Sequence, residues 1–596
     1  MNKNYNEGNT FSATGIAEIN LPYDFKFTST NSVYDDEYRA QSSTNPWFGQ
    51  YASSNGIANV SHGRTWTYNY QQLLNWHRQF GKHDVEAMLG HEYYHRRITT
   101  LAGHNNNMFL NSIVELSAAV TTSSIATSST SEYNTEGFFG RAQYNYDSKY
   151  FGSFSYRRDA SSYFDPDHRW GNFWSLGGAW LISKEKFFHV SWVDELKLKA
   201  SYGEQGNDDI GYYKYITTYN IQNSNGKLAL SPRQLGNAKI SWEKNGEFNV
   251  GVEFSLLKSR LTGSFEYYNR KTTDMLSWYT LPASFGFTGY YDNVGDMRNT
   301  GIEFELQGDI IRTKELTWSA HLNMTANKNR IVRLAADKKN LVVDGKQGYQ
   351  SSDYFYGEKL PMYTWYMYKY AGVDQTTGEA LYYKNVYEKD ANGKTIYYDA
   401  NGKQVDQSVK GARPKVVGQE TVKTTGEADL YLCGDPNPDA FGGFGTNLSW
   451  KGFDLAVDFT YQLGGKAYDN GYASAMNLSR GSAIHADILN AWSPTNKNSS
   501  IPRLNFNDNY MAAQSDRFLT SASYLNLQNI TLGYTLPKPF VRNLGLANIR
   551  VYVTGDNVWL FSKRKGFDPR QSENGSITNA YYSPIRSVSG GVSVTF

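Results

Sequence analysis

The segment HEYYH, His91–His95, matches the H-E-x-x-H pattern of zinc peptidases. That chemistry needs both histidines one helical turn apart on a single Zn²⁺, with Glu92 as general base. Glu115 stands downstream where a third ligand would be sought. The preceding run DVEAMLG argues against the helix, because Val85, Ala87 and Leu89 alternate with Asp84, Glu86 and Met88. On a strand, residues four apart lie about 13 Å from each other. Two Zn–N bonds of about 2 Å do not span that gap. The segment is expected to be polar residues at a strand end near a rim. No catalytic residue and no metal site are assigned, and a metallopeptidase is the weakest alternative.

Other patterns are weaker still. DANGKTIYYDANGK (390–403) hints at a calcium loop, but Gly393 is fourth from Asp390, where an EF-hand needs glycine sixth. Two Asn-Gly turns flanking KTIYY read as hairpin chemistry. No cofactor is expected; calcium in Asp-rich loops is left open. GGFG (442–445) is too short for nucleotide binding, and the single Cys433 has no readable catalytic partner. The credible ligand chemistry is aromatic. YFDPDHRWGNFW (163–174) and LPMYTWYMYKYAG (360–372) mix rings with polar groups, making Asp165, Trp170, Trp365 and Tyr366 candidate ligand-path residues. Sugar faces stack on such rings while neighbouring polar groups bond hydroxyls. Tyr and Trp also form the interfacial girdles of any membrane barrel.

These residues must be positioned by strands. In EFNVGVEFSL, Phe248, Val250, Val252, Phe254 and Leu256 share one face; Glu247, Asn249, Gly251, Glu253 and Ser255 share the other. After LKS, Leu261, Gly263, Phe265 and Tyr267 resume the alternation, as a hairpin would. The pattern returns at 302–307, 316–323, 444–450 and 453–461. Near Gln528–Asn529 the phase slips, which predicts a bulge. The chain ends SVSGGVSVTF, with Val588, Gly590, Val592, Val594 and Phe596 in every second place. That final strand is expected to pair with 548–557, and to lack an antiparallel partner from 11–19 on its other edge.

Short connections (256–260, 308–315, 450–453) alternate with long polar ones (270–300, 325–442, 462–523, 559–585). Short turns at one end and long loops at the other, joining strands of about 9–11 residues, are the signature of a transmembrane β-barrel. Composition agrees: of 596 residues, 47 are Tyr, 14 Trp and 53 Gly. No apolar run of about 18 residues is present. The charge is balanced at +2, which excludes a basic nucleic-acid footprint. The expected class is all-β, a transmembrane antiparallel barrel of about seventeen strands. An odd count leaves first and last strands parallel, so strands are expected to be missing on the N-terminal side.

Several stretches resemble the SusC/RagA-type TonB-dependent outer-membrane transporters: GFFGRAQYNYDSKYFGSFSYRRDASSYFDPDHRWGNFWSLGGAWLISKEKFF (137–188), LKLKASYGEQGN (196–207), NVGDMRNTGIEFEL (293–306), SYLNLQNITLGYTLP (523–537) and VYVTGDNVWLFSKRKGFDP (551–569). The resemblance implies a multi-pass outer-membrane importer of glycan oligomers or peptides, not an enzyme. It implies a SusD-like lid lipoprotein, energy from TonB–ExbB–ExbD, and a plug. Barrels of that class have 22 strands. Residues 1–596 would then be the barrel portion alone. Signal peptide, TonB box, plug and first strands would be absent, and such a fragment would be unable to transport by itself. Val592, Val594 and Phe596 would face lipid and end the strand read by the barrel-assembly machinery. A passive porin or structural barrel is the main alternative.

Overall fold

The computed structural model describes residues 2–110, 112–120, 125–399, 401–409, 412–478, 483–543, 545–577 and 583–596. Seventeen strands form one sheet. In chain order they are β1 (Lys3–Leu21), β2 (Phe25–Thr44), β3 (Ile57–Phe80), β4 (His83–Asn106), β5 (Ile125–Tyr146), β6 (Tyr150–Ser161), β7 (Trp170–Leu181), β8 (Val193–Asn207), β9 (Glu243–Leu256), β10 (Leu261–Thr273), β11 (Asp296–Arg312), β12 (Leu316–Arg333), β13 (Ala440–Trp450), β14 (Phe453–Leu463), β15 (Tyr524–Thr535), β16 (Asn548–Ser562) and β17 (Ser587–Thr595). Among the described residues no helix is long and apolar enough to cross a membrane. By contact density the chain divides into two compact units.

The first unit holds Met1–Glu185, Lys199–Phe248 and Thr272–Val294. Strands β1 to β7 pair antiparallel, each with the next, so residues 11–19 find their ladder partners on β2. Links 22–24, 81–82 and 147–149 are short, whereas 45–56, 107–124 and 162–169 are longer. The expected strand length of about 9–11 residues falls short here. β1 to β5 run 19, 20, 24, 24 and 22 residues. Their alternation is interrupted by polar residues on both faces, as in the β3 stretch Ser61–His62–Gly63–Arg64, so periodicity alone ends them early. The β3–β4 ladder is nonetheless unbroken from Ile57↔Asn106 to Phe80↔His83.

The second unit holds Lys186–Leu198, Asn249–Lys271 and Gly295–Phe596. β11 and β12 form a long hairpin, and β12 to β17 continue the antiparallel ladder. Gln528 stands outside both ladders of β15, which is the bulge the phase slip predicts. β17 pairs with β16 from Asn548↔Thr595 to Asp556↔Ser587, as expected for the terminal strand. Links 313–315 and 451–452 are two or three residues and 536–547 is twelve, whereas 334–439, 464–523 and 563–586 are far longer.

The long links are not featureless. Leu341–Val343, Lys346–Ser351, Tyr354–Gly357, Thr364–Tyr368 and Leu430–Leu432 form a five-stranded sheet. Lys466–Asp469 pairs with Leu519–Ser521 and, in parallel, with Ser576–Ile577. Links 334–439 and 464–523 thereby share one core of Tyr354, Trp365, Met367, Cys433, Tyr468, Met476, Ile488 and Phe518, and link 563–586 joins them through a smaller cluster of Ala467, Ala522, Phe567 and Ile577. Burying so many rings stabilises the block by roughly 2 kcal/mol per large side chain before ordering costs.

Candidate functional site

His91 and His95 lie inside β4, eight or more residues from the short turn at 81–82, and not at a strand end. β4 runs on to Asn106, because its upper half pairs fully with β3 and β5. His91 Nε2 is 3.1 Å from Glu136, and His95 Nδ1 is 2.5 Å from the Asn134 amide oxygen. Glu115 is held elsewhere, accepting from Arg39 at 2.8 Å and Gln41 at 3.0 Å. The motif is therefore strand, and its parts serve cross-strand pairing. Among the described residues no group of three metal-ligating side chains comes together.

Glu92 points to the opposite face and belongs to a polar network. Arg157 on β6 donates to Glu92 at 3.1 Å and to both oxygens of Asp159 at 2.7 and 2.8 Å. β5 lies between, at Gly137. A Cβ there would stand 2.3 Å from Asp159 Oδ1 and 2.7 Å from Arg157 Nη2, so only glycine leaves the space. Above it, Tyr133 and Ser161 hydroxyls both donate to Asp208, at 2.8 and 2.5 Å. Tyr133 also packs on Tyr163, 4.4 Å between ring centres, with the Arg96 guanidinium 5.4 Å over the Tyr133 ring. The sequence reading did not single out this network. Its signal is Arg157 and Asp159, two charges at i and i+2 on one strand face.

Asp165 and Trp170 sit beside these residues on the link and strand that follow β6. Asp165 Oδ1 accepts the Asp167 amide at 3.1 Å, capping the turn. Trp170 is 36% exposed, stacks on Phe138 at 6.3 Å and carries the Arg158 guanidinium 5.0 Å over its ring.

Trp365 and Tyr366 lie in the second unit. Trp365 is fully buried; Tyr354 and Tyr468 pack on it at 4.5 and 6.1 Å, and its indole N–H donates to the Lys466 carbonyl at 3.0 Å. It supports the block from inside. Tyr366 is half-buried against Phe355 at 5.6 Å, and burial pushes its hydroxyl above the ordinary tyrosine range. Phe506 and Tyr510, 53% and 36% exposed, reach solvent on a link with no strand periodicity.

Several charges in the block are paired. Lys423 bridges Asp374 at 3.1 Å and Glu379, which also accepts from Arg503 at 3.1 Å. Backbone amides of Thr376 and Thr377, with Lys423, hold the Asp374 carboxyl down to about 2. Asp390 and Asp399, the first residues of the two Asp-Ala-Asn-Gly turns, each accept two backbone amides at 2.9 Å, in the way Asx turns do. Position 400, within the second, lies outside the described residues. Val592, Val594 and Phe596 are 64%, 41% and 92% exposed, on the face that carries Val551 and Val553.

The long links of the second unit are rich in buried rings and paired charge, on strands with one apolar face. The family model described as "TonB dependent receptor-like, beta-barrel" matches residues 2–558, and the chain belongs to that family. The fold is that of a TonB-dependent receptor barrel. It is of the SusC/RagA type, a family of outer-membrane transporters and receptors and not of enzymes. TonB-dependent receptor P3 of Formosa agariphila is 27% identical over 99% of this chain and 61% of its own length. TonB-dependent receptor SusC of Bacteroides thetaiotaomicron is 30% identical over 74% of this chain and 42% of its own. A chain of the RagAB peptide transporter superposes with a TM-score of 0.85 at 27% identity, over 100% of this chain and 63% of that one. The chain thus spans less than two thirds of the relatives it matches.

Proposed function

We propose that the chain forms the wall and outer loops of a SusC-type importer in an outer membrane. Short links would face the periplasm and long links the outside. The importer would take up oligosaccharides or short peptides, with a SusD-like lipoprotein covering the block made by 334–439, 464–523 and 563–586. Energy would come through TonB acting on the whole importer; the barrel residues alone would not couple to it. The observation that carries this reading is the folded block in which two long links share the core around Trp365 and the third is joined by a strand pairing and a smaller cluster. A passive pore has no need of a rigid block on its long-link end, whereas a lid needs a fixed surface to close on. The match to the RagAB peptide transporter supports the same reading.

The test is affinity purification of the tagged protein from its own outer membrane, followed by mass spectrometry. A surface lipoprotein in equal amount, with bound peptide or oligosaccharide, is expected. Purification without either, together with a stable ohmic pore from the 596-residue chain in planar bilayers, would favour a passive barrel.

A further inference from the structure

The apolar face of β16 and β17 ends, at the long-link side, in a cavity of about 560 Å³. Its lining includes Trp559, Phe561, Lys565, Arg570, Ser583 and Arg586. Along β16, Val551, Val553, Trp559 and Phe561 are exposed on one face, and the last two rings lie 6.0 Å apart. Register places Val592 opposite Val551 and Val588 opposite Gly555, so β17 continues the same apolar strip. Arg586, the residue before β17, holds its guanidinium 5.8 Å from the Trp559 ring. Lys565 comes three residues after β16 ends.

The cavity is cationic on balance. Asp568 is the one carboxylate among its described lining residues, and Arg570 binds it at 2.9 and 2.7 Å through two nitrogens. Lys565 and Arg586 are left as cations that the lining does not neutralise. The neighbouring sequence Thr578–Tyr582, TNAYY, contributes no acid.

We propose that this cavity seats the phosphate headgroup of an anionic lipid in the leaflet around the long-link end, with the acyl chains lying down the Trp559–Phe561–Val553–Val551 strip. A guanidinium and an ammonium suit a phosphate monoester, and an indole suits the boundary between headgroup and chain. A soluble anion would use the cations but not the apolar strip; charge and continuity together favour lipid. The inference rests on the outer-membrane reading above.

The test uses the 596-residue chain in phosphatidylcholine nanodiscs doped with monophosphorylated lipid A or its dephosphorylated form, with retained lipid counted by native mass spectrometry. The phosphorylated lipid should be enriched. K565A/R586A should weaken that enrichment about tenfold, by removal of two charge-assisted contacts. K563A, on a lysine outside the lining, should match the unaltered chain. Equal enrichment in K565A/R586A overturns the site, as does equal loss in K563A, which would indicate surface charge alone. Full displacement by millimolar inorganic phosphate overturns the lipid in favour of a free anion. A chain that shows no heat-modifiable insertion overturns this site and the outer-membrane reading together; insertion without enrichment overturns this site only.

Discussion

At the residue scale, two glycines do the same job in separate places. Gly137 lets Glu92 and Arg157–Asp159 meet across β5. Gly533 lets Asp454 on β14 meet Arg550 on β16, 3.0 Å apart, across β15; a Cβ there would stand 2.6 Å from the Asp454 carboxylate. The sequence presents both as ordinary strand glycines, because what they accommodate lies on the strands either side. Cys433 is the opposite case, legible in type and not in setting. It is buried in the core under the long links, and burial pushes its thiol up to about 11. At pH 8 only about one thiol in a thousand would be ionised. Maleimide should therefore leave the folded chain unlabelled at pH 8 and label it fully in denaturant. The sign for stability follows. The unfolded thiol, with a reference value of 9.0, ionises first, so Cys433 lowers stability as pH rises from 9.0 towards about 11. Rapid labelling of folded protein at pH 8 would contradict the burial.

At the element scale, the strands were legible and the long links were not. Alternation at 302–307, 444–461 and 588–596 located strands that pair as expected, and the slip at Gln528 located a bulge. Each such signal is local, since it needs only two faces in different solvents. LPMYTWYMYKYAG reads as a ligand path because its rings are mixed with polar groups, as sugar-stacking sites are. Instead Trp365 is buried in one core with Tyr354, Cys433, Tyr468, Met476, Ile488 and Phe518, more than 150 residues of chain apart at the extremes. No local pattern encodes that meeting. Trp365→Ala should cost the block about 3–5 kcal/mol by opening a cavity and orphaning the Lys466 carbonyl. The measurement is limited proteolysis across a urea series. Cleavage within 334–439 should begin at markedly lower urea in W365A, while strand fragments keep their resistance. Unchanged cleavage would mean that the rings around Trp365 do not hold the links together.

At the scale of the whole chain, alternation of short and long links is the organising fact. Within the second unit it puts the 389–403 turns and the Lys451–Gly452 turn at opposite ends of the strands they join. Because Cys433 is silent when folded, single reporter cysteines can be introduced without removing it. In vesicles, K394C should react with a membrane-impermeant maleimide added to the long-link side and K451C should react from the other side only. Labelling of both from one side would overturn the orientation of the strands.

Sequence by itself determined the class of fold, the strand phase, the alternation of links and the family. The first three follow from which side of a strand meets which solvent, and from turn chemistry; the family came from the resemblance of particular stretches such as 137–188 and 551–569. Tertiary structure alone decided that His91, Glu92 and His95 serve cross-strand pairing, that Trp365 is a core residue, and that Lys565 and Arg586 converge beside Trp559. Those outcomes depend on residues distant in the chain approaching within a few ångströms. The energy of that approach is not a property of any segment taken alone.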